Sequence, residues 1–163
     1  FSAQLAAERG LPYAFASHFA PDHMMAALEI YRSKFRQTGF IERPYAMLGI
    51  GIYAADTDFE ARRLFTSLQQ QFVNLRRGTP TQLQPPVDSM DGLWSEAEKA
   101  GVEHAMRYAL AGTREQVREG LKNFIAMTAA DELIVTAQIY DHEARKRSYE
   151  IVAQARDELN CRR

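Results

Sequence analysis

Few side chains in this 163-residue sequence have both the type and the neighbours to do chemistry. Ser17 and His18 close the short apolar run Tyr13-Ala14-Phe15-Ala16, which reads as a buried strand. In a parallel α/β protein the residue after such a strand lies at the C-terminal edge of the sheet, where ligands bind. A histidine that only hydrogen-bonds within its loop fits the same pattern, and so does a serine. Ser2 stands at the mouth of a short helical pattern, where free N–H groups and the positive dipole end favour an anion. A plain N-cap is the commoner role for such a serine. The four histidines, His18, His23, His104 and His142, show no ligand spacing of the H-E-x-x-H kind, so no metal site is expected. No serine sits in a G-x-S-x-G elbow, which leaves nucleophilic acyl transfer unsupported. Gly49-Ile50-Gly51-Ile52-Tyr53-Ala54 spells the dinucleotide fingerprint G-x-G-x-x-A, but those glycines belong at a strand-to-helix turn. Here they lie inside an apolar run, so they read as close-approach positions within a packed strand.

The elements that must hold these residues follow from periodicity and punctuation. Ser2–Arg9 reads as a helix stopped by Gly10. Pro21 opens a helix whose apolar face is Met24, Leu28, Tyr31 and Phe35, ending near Gly39, and Met25 is expected in the core with Met24. Arg43-Pro44 breaks the chain before Tyr45–Ala55, an apolar run without alternation, as expected of a strand covered on both faces. Asp56 or Thr57 caps the next helix, with Glu60 placed to close a capping box and Ala61, Leu64, Leu68, Phe72 and Leu75 as its stripe. Ser95 with Glu98 and Thr113 with Gln116 open two further helices in the same way. Between them Tyr108–Ala111 is a short strand or extended link. Glu132–Ala137 is a β-branched strand, and Asp141 caps a last helix with Ala144, Ser148, Ile151, Val152, Ala155 and Leu159 on its face. Strands alternate with helices, which is the grammar of βαβ units and a parallel sheet. The stretch 78–93 carries Gly78, Pro80, Pro85, Pro86 and Gly92 with few apolar residues and reads as a functional or disordered loop.

Composition narrows the function classes. With 46% hydrophobic residues and 20 Lys+Arg against 21 Asp+Glu, the chain has material for a core and no basic face for nucleic acid. No apolar run approaches the roughly 20 residues that span a bilayer, so no membrane anchoring is expected. Cys161 is the single cysteine, which excludes an intrachain disulfide and a cysteine-based zinc site; it fits a reducing cytoplasm, the expected location, and would equally fit a secreted protein without disulfides.

Several of these residues together carry a resemblance. Ser2-Ala3-Gln4-Leu5-Ala6-Ala7 with Gly10-Leu11-Pro12-Tyr13 is similar to the middle of the bacterial luciferase-like, flavin-dependent monooxygenases. So are Arg43-Pro44-Tyr45 leading to Ala54-Ala55-Asp56-Thr57-Asp58, and Ala61-Arg62-Arg63. Gly112-Thr113-Arg114-Glu115-Gln116-Val117 resembles the family's G-[ST]-P-E-x-V element, with Arg114 where proline is usual, and Ala130–Val135 resembles its final strand. The match keeps the family's order along nearly the whole chain and points to its alkanal-monooxygenase-like members.

What the resemblance implies is an α/β fold, the C-terminal part of a (β/α)8 TIM barrel, spanning residues 1–163 with a lid-like loop at 78–93. It implies reduced FMN as cofactor with O2 as co-substrate and a small organic substrate, an aldehyde in luciferase itself; the deazaflavin F420 is the alternative on the same barrel. Ser2 then matches a hydroxyl residue of the phosphate-binding turn, and Ser17, beside His18, the strand end facing the flavin ring. A full barrel needs about 250 residues, so the resemblance implies a fragment, inactive alone, that begins within the phosphate-binding turn. Its exposed apolar inner face and edge should meet the missing N-terminal half-barrel or another copy. A non-catalytic half-barrel that oligomerises through that edge is the reading from a different class.

Overall fold

In a computed structural model, residues 1–160 are described; Cys161 lies outside them. The elements run α1 (Ser2–Glu8), β1 (Tyr13–Phe15), a 3-10 turn (Pro21–His23), α2 (Met24–Lys34), β2 (Ala46–Ala54), α3 (Asp58–Arg76), α4 (Glu96–Ala105), β3 (Leu110–Gly112), α5 (Arg114–Thr128), β4 (Glu132–Thr136) and α6 (His142–Asn160). All pairings are parallel, as the alternation of elements predicts. β2 is the hub. Tyr13–Phe15 pairs with Ala46–Leu48, Glu132–Thr136 with Met47–Gly51, and Leu110–Gly112 with Ile52–Ala54. β1 and β4 take opposite edges of β2: the N–H groups of Tyr13 and His18 donate to the carbonyls of Tyr45 and Gly49, whereas Asp131 donates to Ala46. In a closed barrel, strands pair in chain order; here β4 lies against β2 rather than β3, and no local pattern in the sequence signals that non-consecutive pairing.

The two faces of β2 differ in what covers them. Ala46, Leu48, Ile50, Ile52 and Ala54 point into the main core, which α1, α2, α5 and α6 close with Ala7, Leu28, Tyr31, Leu121, Phe124 and Ile151. The other face carries Met47, Gly49, Gly51 and Tyr53, and at its C-terminal end Tyr53 stacks at 4.6 Å on Phe65 of α3 within a second cluster. Burial on both faces explains why this strand lacks alternation.

Helix boundaries follow their caps. The Ser95–Glu98 capping box forms in full, and Arg77 binds the same Glu98 at 2.6 Å. Gln116 accepts from the Thr113 N–H, and Asp141 accepts from the Ala144 N–H. Thr57 caps α3 by accepting from the Glu60 N–H, while the Glu60 carboxylate turns to Arg63 instead of closing the box. Three expectations need correction. Phe1 rather than Ser2 is the N-cap of α1, because the Leu5 N–H closes the first turn on the Phe1 carbonyl. α2 ends at Lys34, five residues early, where Phe35 turns extended. Met25 is 42% exposed, since it points away from the Met24–Leu28–Tyr31 face.

The 78–93 stretch has no regular structure but is strapped down. Thr66 of α3 exchanges hydrogen bonds with the backbone of Val87, Gln70 donates to the Pro85 carbonyl, and Met90 is buried with Val73 and Val102. Among the described residues no helix is long and apolar enough to cross a membrane.

Candidate functional site

Polar side chains converge where β1, β2 and β4 end. After Phe15 the chain turns, and both the Ser17 hydroxyl and the His18 N–H donate to the carbonyl of Gly49 on β2. This double strap draws the turn tightly onto β2. It also spends the Ser17 proton: the side chain is 1% exposed and its hydrogen is committed to the sheet. The His18 imidazole lies over Gly49, so closely that any Cβ there would collide with Nδ1. The ring thus occupies the side-chain space of Gly49, which bears out the close-approach reading of the G-x-G pattern at its first glycine.

Behind His18 is a small cavity of about 20 Å³, lined among others by Ser17, Gly51, Tyr53, Thr136 and Gln138. Tyr53, fully buried, donates from its phenol to Oε1 of Gln138 at 2.9 Å. Burial pushes that phenol well above its usual range, so it stays a donor. The Thr136 hydroxyl is enclosed without a hydrogen-bond partner. A Cβ at Gly51 would meet its nearest neighbour, the Tyr53 ring, at 3.5 Å, an ordinary contact, so this glycine is not forced by packing.

The turn that carries Ser17 and His18 is held from behind. Asp22 in the 3-10 turn receives His104 Nε2 at 2.7 Å and Arg107 at 2.9 Å, from α4 and the residues just after it. Partial desolvation alone would raise the Asp22 carboxyl, but the Arg107 hydrogen bond and the neighbouring charges outweigh it and hold it below its usual range. Arg107 in turn lies 4.9 Å over the Tyr108 ring. Among the described residues no group of three or more His, Cys, Asp and Glu side chains is placed to hold a metal ion.

The residues singled out from sequence are thus only partly brought together. Ser17 and His18 are adjacent at the sheet edge, Ser17 buried and His18 exposed. Ser2 is exposed in the first turn of α1, a helix that runs back to the start of β1, so its N-terminus sits at the same end of the sheet. Tyr53, Thr136 and Gln138 escaped the sequence reading. Tyr53 and Thr136 each sat in a strand pattern that accounted for it and Gln138 lay just past one, and the one available signal was a hydroxyl and an amide at the end of an otherwise apolar strand.

Comparison with known proteins decides the family. A sequence model described as luciferase-like monooxygenase matches residues 1–132. The chain belongs to the luciferase-like monooxygenase family. This luciferase-like chain is 50% identical over 159 residues to a protein of that name from Escherichia coli strain K12, covering 98% of the chain and 48% of the relative. It is 47% identical over 153 residues to YvbT of Bacillus subtilis strain 168, covering 94% and 46%. Among solved structures, apo-MsnO8 superposes with a TM-score of 0.76 at 26% identity, over 95% of this chain and 47% of that one. The oxygenating constituent of 3,6-diketocamphane monooxygenase from Pseudomonas putida, solved with FMN, gives 0.57 at 22% identity over 94% and 44%, a likeness of fold alone. The luciferase-like chain spans about half the length of the curated relatives it matches. Its fold class is that of the C-terminal part of a (β/α)8 barrel.

Proposed function

We propose that this chain is the C-terminal half of a flavin-dependent monooxygenase that uses reduced FMN and O2 to oxidise a small organic substrate. The observation that carries the reading is the convergence of Ser17, His18 and an unpartnered Thr136 hydroxyl at the C-terminal strand ends of a chain in this family. The residues fit one wall of a flavin site and no more than one wall. A 20 Å³ cavity cannot enclose a ring system, so the cofactor would lie outside it, against the exposed His18.

When bound, the flavin supplies the electrons and the activation of O2. This chain's own residues bind and orient. Ser2, in the exposed first turn of α1, has backbone N–H groups beside it that lack intrahelical partners, and it would hold the phosphate. Ser17 holds the turn by its bond to Gly49, and His18 would meet the ring. The 78–93 loop serves as the lid that limits water. The remaining walls come from the half of the relatives' length that this chain does not cover. That half, or failing it a second copy, covers the open face around Ile134, so the isolated chain is inactive. The protein works in the cytoplasm.

The test is formation of the oxidised product from a probe aldehyde such as decanal by the full-length protein supplied with FMN, NADH and a flavin reductase. It is measured against the same mixture without the protein, in which free reduced flavin consumes O2 but forms no product. Product with FMN and none with F420 supports the reading; turnover with F420 alone assigns the barrel to hydride transfer and overturns it.

A further inference from the structure

We propose that Thr136 and Gln138, with Tyr53 as a positioning residue, form a subsite that takes a single acceptor oxygen of the ligand bound at the strand ends. The inference rests on the flavin-site reading above and adds to it three residues and a chemical preference. Three observations lead there. The Thr136 hydroxyl is enclosed and has no partner, a costly state that a water or a ligand would relieve. The Tyr53 phenol, itself fully buried, donates to Oε1 of Gln138 and so orients this exposed side chain at the rim of the cavity with its NH2 group turned away from the phenol. Both groups line the same cavity, whose 20 Å³ is about the space one water-sized atom occupies.

The chemistry of the lining selects the occupant. Ile50, Leu68, Ala105, Met106 and Ala109 supply apolar walls, and the Ser17 proton is already committed to Gly49. An unpartnered hydroxyl inside and an amide NH2 at the rim of a space for one atom suit an oxygen acceptor such as a ring carbonyl or an aldehyde oxygen, and the space is too small for a ring. Two sources carry such an oxygen: the pyrimidine end of the flavin and the organic substrate.

The experiment uses the full-length protein and four variants, Thr136→Val, Thr136→Ser, Gln138→Leu and Tyr53→Phe. Oxidised FMN binding is read by fluorescence titration and by the visible spectrum of the bound flavin; KM and kcat are read with decanal as the probe aldehyde. If the flavin supplies the oxygen, Thr136→Val and Gln138→Leu weaken FMN binding about tenfold and shift its spectrum. If the substrate supplies it, FMN binding holds and KM for decanal rises by a similar factor with kcat little changed. In either case Thr136→Ser restores the wild-type value and Tyr53→Phe reproduces part of the Gln138→Leu effect, a pattern that loss of stability does not give. Unchanged FMN binding, spectrum and KM in Thr136→Val and Gln138→Leu mean a water site only and overturn the inference, while leaving the flavin reading intact. A wild-type protein that binds no FMN overturns both.

Discussion

At Gly49 one hydrogen in place of a side chain decides where His18 can lie. The imidazole fills the space a Cβ would need, and the same residue's carbonyl takes the hydrogen bonds of Ser17 and His18. Gly49→Ala forces the ring out of its place, and because His18 is exposed and can swing towards solvent the loss of stability is small. The expected outcome is a displaced His18 ring signal in NMR spectra and weaker flavin binding by the full-length protein. The sequence already marked these glycines as close-approach positions. It could not say what approached, because His18 is 31 residues away along the chain and meets β2 only through the pairing of β1 with it. Ser17 and His18 were legible from their place after a buried strand. Thr136 and Gln138 were not, since a β-branched residue and an amide at a strand end have no signature until a cavity surrounds them.

Ser148 on α6 shows the same limit at the scale of elements. Periodicity put it on the buried face of the helix, and the structure agrees, but its hydroxyl also accepts from the Ala54 N–H at 2.9 Å, at the last residue of β2. Ser148→Ala leaves that buried N–H without an acceptor and should lower stability by about 1–3 kcal/mol, measured by urea unfolding. The start of α4 makes a pH-dependent contribution. Arg77, followed by the Ser95 backbone N–H, lowers the Glu98 carboxyl from its ordinary 4.5 to about 2. A carboxyl depressed on folding adds stability that is complete above 4.5 and is lost as the pH falls from there towards 2. Glu98→Gln should therefore be less stable at neutral pH and show a flatter loss between pH 4.5 and 2, as followed by circular dichroism. Both capping boxes that govern α4 and α5 could be read directly, because a cap is a four-residue event. The early end of α2 could not, because no breaker stands between Lys34 and Gly39.

On the scale of the molecule, the parallel α/β class was visible in the alternation of elements, whereas the order of strands was not. Each of β1, β3 and β4 pairs with β2 alone among the described residues, so each keeps an unpaired edge. Ile134, mid-strand on β4, is 50% exposed, and Phe19, beside His18, is 82% exposed. A parallel sheet ordinarily has both faces and its edges covered. The isolated chain is expected to self-associate, with its apparent mass in light scattering rising with concentration, and Ile134→Lys should shift it towards the monomer. The family match over residues 1–132 and the coverage of about half of each relative agree with a chain whose open face is met by further structure.

The central claim is that this chain furnishes one wall of a flavin site and that the site is complete only in the longer protein. Parallel titrations of FMN into the isolated chain and into the full-length protein, followed by flavin fluorescence, test it most directly. The account predicts saturable binding by the full-length protein and none, or binding weaker by a factor of a hundred or so (about 2.7 kcal/mol), by the isolated chain. Equal and tight binding by the two would contradict it.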